Sequence, residues 1–414
     1  MLTCKHCGKT FSPPLGDPAW MTVLCPACER VGARVDLDDL LGGIEARPWA
    51  TYVLLGLNGA MFVILLLGGG SFLDPSSESL LRWGANFGPL TLTGQWWRVL
   101  SSMFLHIGVF HLAVNMWCLW TFGKVAERLC GTLPFLVFYL ASGFGGALAS
   151  LWWNPMVVSA GASGALFGIG GALAAFFYFA RLPVHPEAMK EELGSVASFL
   201  GYNVYYGLTS TGIDNAAHLG GLFVGALGGA ALFSGVSSKQ LPVRVGARAF
   251  AVFVAVAAGL LLATAFVSRT NAPLVRVMQA AHRFDAGQKA ESIRDIEEVL
   301  RTNSDVFMAH WMLCLMLPEV DRAKEGIPHC QRALKQNPDA ADHRLNLALG
   351  YWKQGQHEKA LNEANRVIKV HPEHPRAYLV QSLVLDEMGR HEEAENAMQK
   401  ARQLGALSAD NAGE

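Results

Sequence analysis

The sequence predicts an all-α polytopic membrane protein with a small cysteine ribbon at its N-terminus and a stack of helix pairs at its C-terminus. Three observations carry that expectation. Residues 49–268 hold only 16 of the chain's 67 Asp, Glu, Lys and Arg, far below the roughly 25 % charge of soluble domains. Four cysteines within the first 28 residues stand as two C-x2-C pairs. The C-terminal part repeats with a period of 34 residues, the period of helix-pair repeats. The chain has 414 residues, is 51 % hydrophobic and carries a net charge of −1. That balance excludes a bulk electrostatic case for nucleic acid, which needs a basic face. The charge distribution divides the chain at 1–48, 49–268 and 269–414.

In the first segment, Cys4-Lys-His-Cys7 is followed after 17 residues by Cys25-Pro-Ala-Cys28. This is the spacing of a tetrahedral four-thiolate zinc site, in which each tight turn presents two sulfurs to one metal. A redox dithiol pair and chance spacing are the competing readings. Structural zinc is the expected occupant. Four thiolates close the coordination shell, so no catalysis is expected there and His6 is a bystander. The first 48 residues are polar and carry no secretory signal.

Apolar runs near 49–69, 104–123, 133–153, 158–180, 195–210, 213–234 and 249–268 approach the roughly 20 residues that span a bilayer. They give about seven helices, the fifth diluted by Tyr202, Asn203, Tyr205 and Tyr206. A large buried soluble core is the competing reading. Lys and Arg in short loops set orientation. With the N-terminus inside, inner loops hold Lys124, Arg128, Arg181, Lys190, Lys239, Arg244 and Arg248, whereas the outer loops after helices three and five hold none. Only the long first outer loop, with Arg82 and Arg98, breaks the pattern. The N-terminus is therefore expected in the cytoplasm and the C-terminal domain outside, in a membrane expected to be the prokaryotic inner (plasma) membrane.

Polar residues inside apolar helices are costly, and each marks a functional candidate. Helix two carries His106, His111 and Asn115, helix four Ser163, and helix six Asp214, Asn215 and His218. His111 and Asn115, four apart, share a helical face. On these boundaries His111, Ser163 and His218 fall five to seven residues inside helices entered from the outer side, within roughly 10 Å of that surface at 1.5 Å rise per residue. A nucleophile, a base and oxyanion donors at one depth are what acyl transfer requires. Each has a bland alternative. Gly-Ala-Ser-Gly alone is more often a packing motif, a lone His can bond a carbonyl, and Asp214 is better read as a helix N-cap than as a third catalytic member.

Together, Trp97-Arg98, His106, His111-x3-Asn115, Glu127-Arg128, Gly131, Gly161-Ala-Ser163-Gly164 and Ala217-His218-x2-Gly221-x3-Gly225 resemble the rhomboid intramembrane serine proteases across 49–268. The resemblance implies a rhomboid-like bundle that hydrolyses peptide bonds within or beside the membrane by a Ser–His dyad, without a cofactor. It implies Ser163 as nucleophile, His218 as general base, and His111, Asn115 and the Ser163 backbone N–H as oxyanion donors. Phe167, one turn after Ser163, matches an aromatic that packs on the base. Gly161 and Gly221 match close-approach positions, Gly221 and Gly225 seating helix six on helix four. His106 has a supporting role, and the tyrosine-rich fifth helix fits a lateral substrate gate. Implied substrates are membrane proteins with a helix-breaking transmembrane segment and a small residue at the cut.

In the C-terminal segment Asn337-Pro338 recurs as His371-Pro372, Gly355 as Gly389 and Ala360 as Ala394. The pattern from Ala341 and again from Pro375 resembles tetratricopeptide repeats, with weaker units at about 273–306 and 307–340, where Pro318 falls inside a helix. Such an α-solenoid offers a concave surface to a peptide or protein partner; a helical spacer is the alternative. Cys314 and Cys330 face each other across one pair, as a disulfide or as two packed thiols, while Cys118 and Cys130 read as small core residues. The competing function is a catalytically silent rhomboid-like membrane adaptor that binds partners through its repeats. A transporter is disfavoured, because no charged or ion-coordinating residues line the helix centres.

Overall fold

The computed structural model describes residues 1–12, 24–35, 39–40, 47–209, 213–237, 241, 243 and 246–406, which divide into two units, Met1–Thr270 and Asn271–Glu414. Lys239 and Arg244, two of the cations expected in inner loops, lie outside the described residues.

In the first unit, β1 (Leu2–Thr3) pairs antiparallel with β2 (Thr10–Phe11). The turn between them carries Cys4 and Cys7 and closes on Gly8 at φ +70°. Helix α1 (Pro26–Arg30) begins on Cys25 and buries Cys28. Downstream, Val35 pairs in parallel with Val184. Val35 N donates to Pro183 O at 2.8 Å, and Arg34 Nη1 donates to Val184 O at 2.9 Å.

Helix α2 (Trp49–Leu67) starts on a buried carboxylate. Glu127 accepts from Ala50 N, Thr51 N, Thr51 Oγ1 and Thr132 Oγ1 at 2.8–2.9 Å. Two of these donors are orphan N–H groups of a helix N-terminus, where a negative charge is also favoured. Each such charge-assisted bond contributes about 1.5–3 kcal/mol. The loop after α2 holds the short helices α3 (Ser77–Arg82), α4 (Gly88–Thr91) and α5 (Arg98–Ser101). Buried Arg98 is solvated by carbonyls, with Nη1 donating to Leu81 O and Ala85 O at 2.7 and 3.1 Å while its guanidinium lies over Trp97.

A 3₁₀ turn, Ser102–Phe104, precedes a sharp bend of 91° into the next span. The bend is made at Gly108, φ +83°, where a Cβ would sit 1.9 Å from Leu73 O. Helix α6 (Val109–Cys118) then passes through a π segment, Leu119–Gly123, into α7 (Lys124–Cys130). Helix two therefore begins at 109 rather than 104 and leaves His106 outside it, in the bend. Four longer helices and one short one complete the unit: α8 (Thr132–Trp153), α9 (Ser163–Phe179), α10 (Pro186–Thr209), α11 (Asn215–Phe233) and α12 (Ala247–Thr270).

All seven predicted spans coincide with helix. Four of them, α2, α8, α11 and α12, are long and apolar enough to cross a bilayer alone, and the bent α5–α7 pair makes a fifth. Helix α9 is apolar but only 17 residues long. Helix α10 starts nine residues before the apolar run at Ser195, because Glu187, Lys190, Glu191 and Glu192 form its polar first turns. The chain is an all-α integral membrane protein in this unit, with strand confined to the ribbon and isolated bridges among the described residues. Its centre is the α9–α11 contact, where backbone meets backbone. A Cβ on Gly221 would lie 1.9 Å from Gly164 O, and one on Gly225 1.9 Å from Gly168 O.

The second unit is four helix pairs: α13 (Ala272–Asp285) with α14 (Lys289–Thr302), α15 (Phe307–Glu319) with α16 (Ala323–Gln336), α17 (Ala341–Lys353) with α18 (His357–Val370), and α19 (Pro375–Glu387) with α20 (His391–Gln403). Pro318 is the penultimate residue of α15, so it ends the helix instead of breaking it. Ala348, Ala360, Ala364, Ala377 and Ala394 are buried where paired helices approach. Cys314 and Cys330 form a disulfide across α15 and α16. A cross-link closing a loop of 16 residues stabilises the folded state by roughly 3 kcal/mol.

Candidate active site

Ser163 is the first residue of α9, not five residues inside a helix as the apolar run suggested. The preceding stretch is instead extended: Ser159 N donates to Asn86 O, and Asn86 N to Ser159 O, both at 2.9 Å. Gly161 then turns the chain at φ +143°. A side chain there would be strained, and its Cβ would lie 2.7 Å from His111 Cε1 and 3.7 Å from Ser163 Oγ. Gly161 thus lets the His111 ring come up against the serine turn. His111 is the third residue of α6 and His218 the fourth of α11. All three side chains therefore sit in the first turns of their helices.

His218 Nε2 lies 2.9 Å from Ser163 Oγ. Phe167, one turn along α9, stacks flat on the His218 ring, with centroids 4.3 Å apart and planes 6° from parallel. Asp214 Oδ1 accepts from Ala217 N at 3.0 Å as the N-cap of α11. Ile107 N donates to His111 Nδ1 at 3.3 Å, which fixes the tautomer with the proton on Nε2. The polar hydrogen of that ring then faces Gly161 and the serine. Asn115 Nδ2 donates one hydrogen to His111 O at 2.8 Å, and its second amide hydrogen is free for another acceptor.

These groups share one cavity of about 680 Å³ lined by Ser163, His218, His111, Asn115, Gly161 and Phe167. His106 is not among its lining residues. It stands behind His111, with ring centroids 5.3 Å apart, fully buried and with neither ring nitrogen bonded to protein. Gly221 acts from outside the cavity, through the α9–α11 contact. The lining also includes Asn203 and Tyr206 of α10, the helix whose polar residues stood out in its apolar run, together with Phe199 of α10 and Asp74 of the first loop, which carried no such mark. The usable signal was Asn203 and Tyr206, two polar residues three apart on an apolar run, hence on one helical face.

The four ribbon cysteines form a separate site, their sulfurs all within 4.8 Å of one another. Cys7 Sγ and Cys25 Sγ are 3.9 Å apart, close to the ~3.8 Å edge of a tetrahedron with Zn–S near 2.3 Å. The thiols are electrostatically unequal. Burial pushes Cys28 up to about 12, whereas for Cys4 the backbone N–H groups of Cys25, Cys7 and His6 outweigh burial and bring it down to about 6. One divalent cation would let all four ionise together. His6 turns its Nδ1 to Arg34 O at 3.2 Å, away from that role.

The comparison with protein families matches the Rhomboid domain over residues 93–235 and the tetratricopeptide repeat over 319–363 and 345–409. The rhomboid protease GluP of Bacillus subtilis (strain 168) is 31 % identical over 317 residues, 74 % of this chain. This chain spans 58 % of that relative's length. The rhomboid protease AarA of Providencia stuartii is 35 % identical over 200 residues, covering 43 % of this chain and 69 % of AarA. Among solved structures, MamA of Desulfovibrio magneticus RS-1 is matched over 34 % of this chain and 78 % of its own at 18 % identity, with a TM-score of 0.31.

Proposed function

The chain belongs to the rhomboid family, and on that premise we propose that it is an intramembrane serine endopeptidase with Ser163 as nucleophile and His218 as general base. The observation that carries the reading is the 2.9 Å approach of His218 Nε2 to Ser163 Oγ in a cavity that also presents His111 and Asn115. In this reading His218 Nε2 takes the serine proton as Oγ attacks the scissile carbonyl, then returns it to the leaving amine. Water, activated by the same imidazole, releases the acyl group. The negative charge on the carbonyl oxygen is met by the Ser163 backbone N–H, an orphan donor at the positive end of α9, together with His111 Nε2–H and Asn115 Nδ2. Each such donor contributes about 10²–10³ in rate. Phe167 holds the imidazole plane and shields it from water.

The substrates proposed are membrane proteins whose transmembrane segment unwinds to reach the cavity, entering beside α10. The test is covalent labelling with a fluorophosphonate. Wild-type protein is expected to label at Ser163 and to cleave a helix-destabilised transmembrane substrate, and Ser163→Ala to do neither. Label that persists in Ser163→Ala, or a wild type that neither labels nor cleaves, would overturn the reading.

The ends of the chain extend the proposal. We take the four-cysteine site to hold structural zinc in the cytoplasm, where thiols stay reduced, and the repeats, with their Cys314–Cys330 disulfide, to lie on the oxidising outer side of an inner membrane. There the repeats would grip the extracytoplasmic part of a substrate or a partner protein. Purified protein is expected to carry close to one zinc per chain by elemental analysis, and Cys25→Ser to carry far less. Equal metal in both would refute the site.

A further inference from the structure

At the start of α11 the buried Oδ2 of its N-cap residue Asp214 and the buried Nδ1 of His218, four residues on, have no protein partner. His218 N donates to Asp214 O at 3.2 Å, so the first backbone bond of α11 ties the cap residue to the base. Both residues line the cavity that holds Ser163. With His218 Nε2 accepting from Ser163 Oγ, the ring proton resides on Nδ1, which makes that atom a buried donor without a partner, as Asp214 Oδ2 is a buried acceptor without one. Leaving either unpaired costs about 1–3 kcal/mol.

We infer that Asp214 is a positioning residue for the base: one carboxylate oxygen caps α11, and the other holds the Nδ1–H of His218 as the imidazolium forms. The inference rests on the Ser163–His218 reading and adds a third member to it. The cap bond to Ala217 N accounts for Oδ1 only. Asn215 Oδ1, the other orphaned acceptor nearby, is drawn to a different element, lying within 2.3 Å of where a Cβ on Gly207 of α10 would be. Besides Asp214 the cavity lining holds one other carboxylate, Asp74 of the first loop, and the flat face of the His218 ring is taken by Phe167. Of these two carboxylates only Asp214 is tied to His218 by the first turn of its own helix. Catalytic contacts of this kind are often long without substrate and tighten in the Michaelis complex.

Capping and charge can be separated, because Asn caps a helix as well as Asp but carries no charge, while Glu keeps the charge and caps poorly. In full-length protein, Asp214→Asn is expected to keep the melting temperature. Its kcat should fall about 10- to 100-fold with KM within twofold, and Ser163 labelling should slow by the same factor. That is less than the ~10⁴-fold loss at a fully hydrogen-bonded triad aspartate. Asp214→Glu is expected to melt lower yet label and cleave faster than Asp214→Asn. A crossing of the two orders is the signature of positioning. Wild-type kcat in Asp214→Asn, or activity that simply tracks melting temperature across the Asn, Ser and Glu variants, would overturn the inference while leaving the serine dyad intact. A wild type that fails to label Ser163 would overturn both.

Discussion

His218→Ala is expected to abolish cleavage as completely as Ser163→Ala, by about 10⁴-fold or more, and the double variant is expected to be no worse than either single one. Groups that act as one unit are strongly non-additive: once the nucleophile or its base is gone, removing the other takes nothing further away. The structure gives a reason to expect that behaviour here. Ser163 Oγ and His218 Nε2 are 2.9 Å apart, and the Phe167 ring stacks on one face of the imidazole, so the two groups are held as one unit. Single-turnover cleavage of a transmembrane substrate by the three variants, each checked for an unchanged melting temperature, measures it. Losses that multiply in the double variant would mean two independent contributions and would contradict a dyad. Residual cleavage in all three by the oxyanion donors alone is expected to vanish when His111→Ala is added.

The parts of this molecule legible in the sequence are those in which one side-chain property repeats. The 34-residue period located all four helix pairs, because alanines such as Ala360 and Ala394 recur wherever two helices touch. Hydropathy located the spans, but it reads burial and not backbone geometry, and so it misplaced three starts. The apolar run from 158 continues smoothly into α9, yet Val158–Ala160 is extended and pairs with Asn86 before Gly161 turns the chain. Gly108 breaks the run at 104–123 at a positive φ and leaves His106 in the bend. The charged first turns of α10 are helical without being apolar. The first two of these shifts place Ser163 first and His111 third in their helices, beside His218 at the fourth position of α11, which changes the chemistry: Ser163 N–H becomes an orphan donor in place of a bonded one. The cavity wall from α10 had no such sequence signal beyond Asn203 and Tyr206, because the residues of one wall come from several elements that only the fold assembles.

Gly225→Ala is expected to cost both stability and activity, although residue 225 touches neither the cavity nor a substrate. Its Cβ would lie 1.9 Å from Gly168 O, 2.5 Å from Gly168 C and 2.6 Å from Gly168 Cα. All three are backbone atoms, which cannot rotate out of the way as a side chain can, so α9 and α11 must separate by about 1 Å or more to admit the methyl. That separation is transmitted along the same pair of helices to Ser163 at the start of α9 and His218 at the start of α11. A misplacement of about 1 Å in a reacting pair costs about 10² in rate, and forced overpacking about 1–3 kcal/mol or more of stability. Gly221→Ala, whose Cβ would meet Gly164 O at 1.9 Å, one residue from Ser163, is expected to be worse. The matched control is Gly56→Ala on α2, where a Cβ meets nothing within 4 Å and both properties should be retained. The measurement is the melting temperature and the fluorophosphonate labelling rate of the three variants in one detergent. Wild-type labelling in Gly225→Ala would show that α9 and α11 can reseat without disturbing the serine and histidine. In that case the glycine contact would serve folding alone, and the distance between Ser163 and His218 would have to be held by the Phe167 stack and the first-turn geometry of each helix.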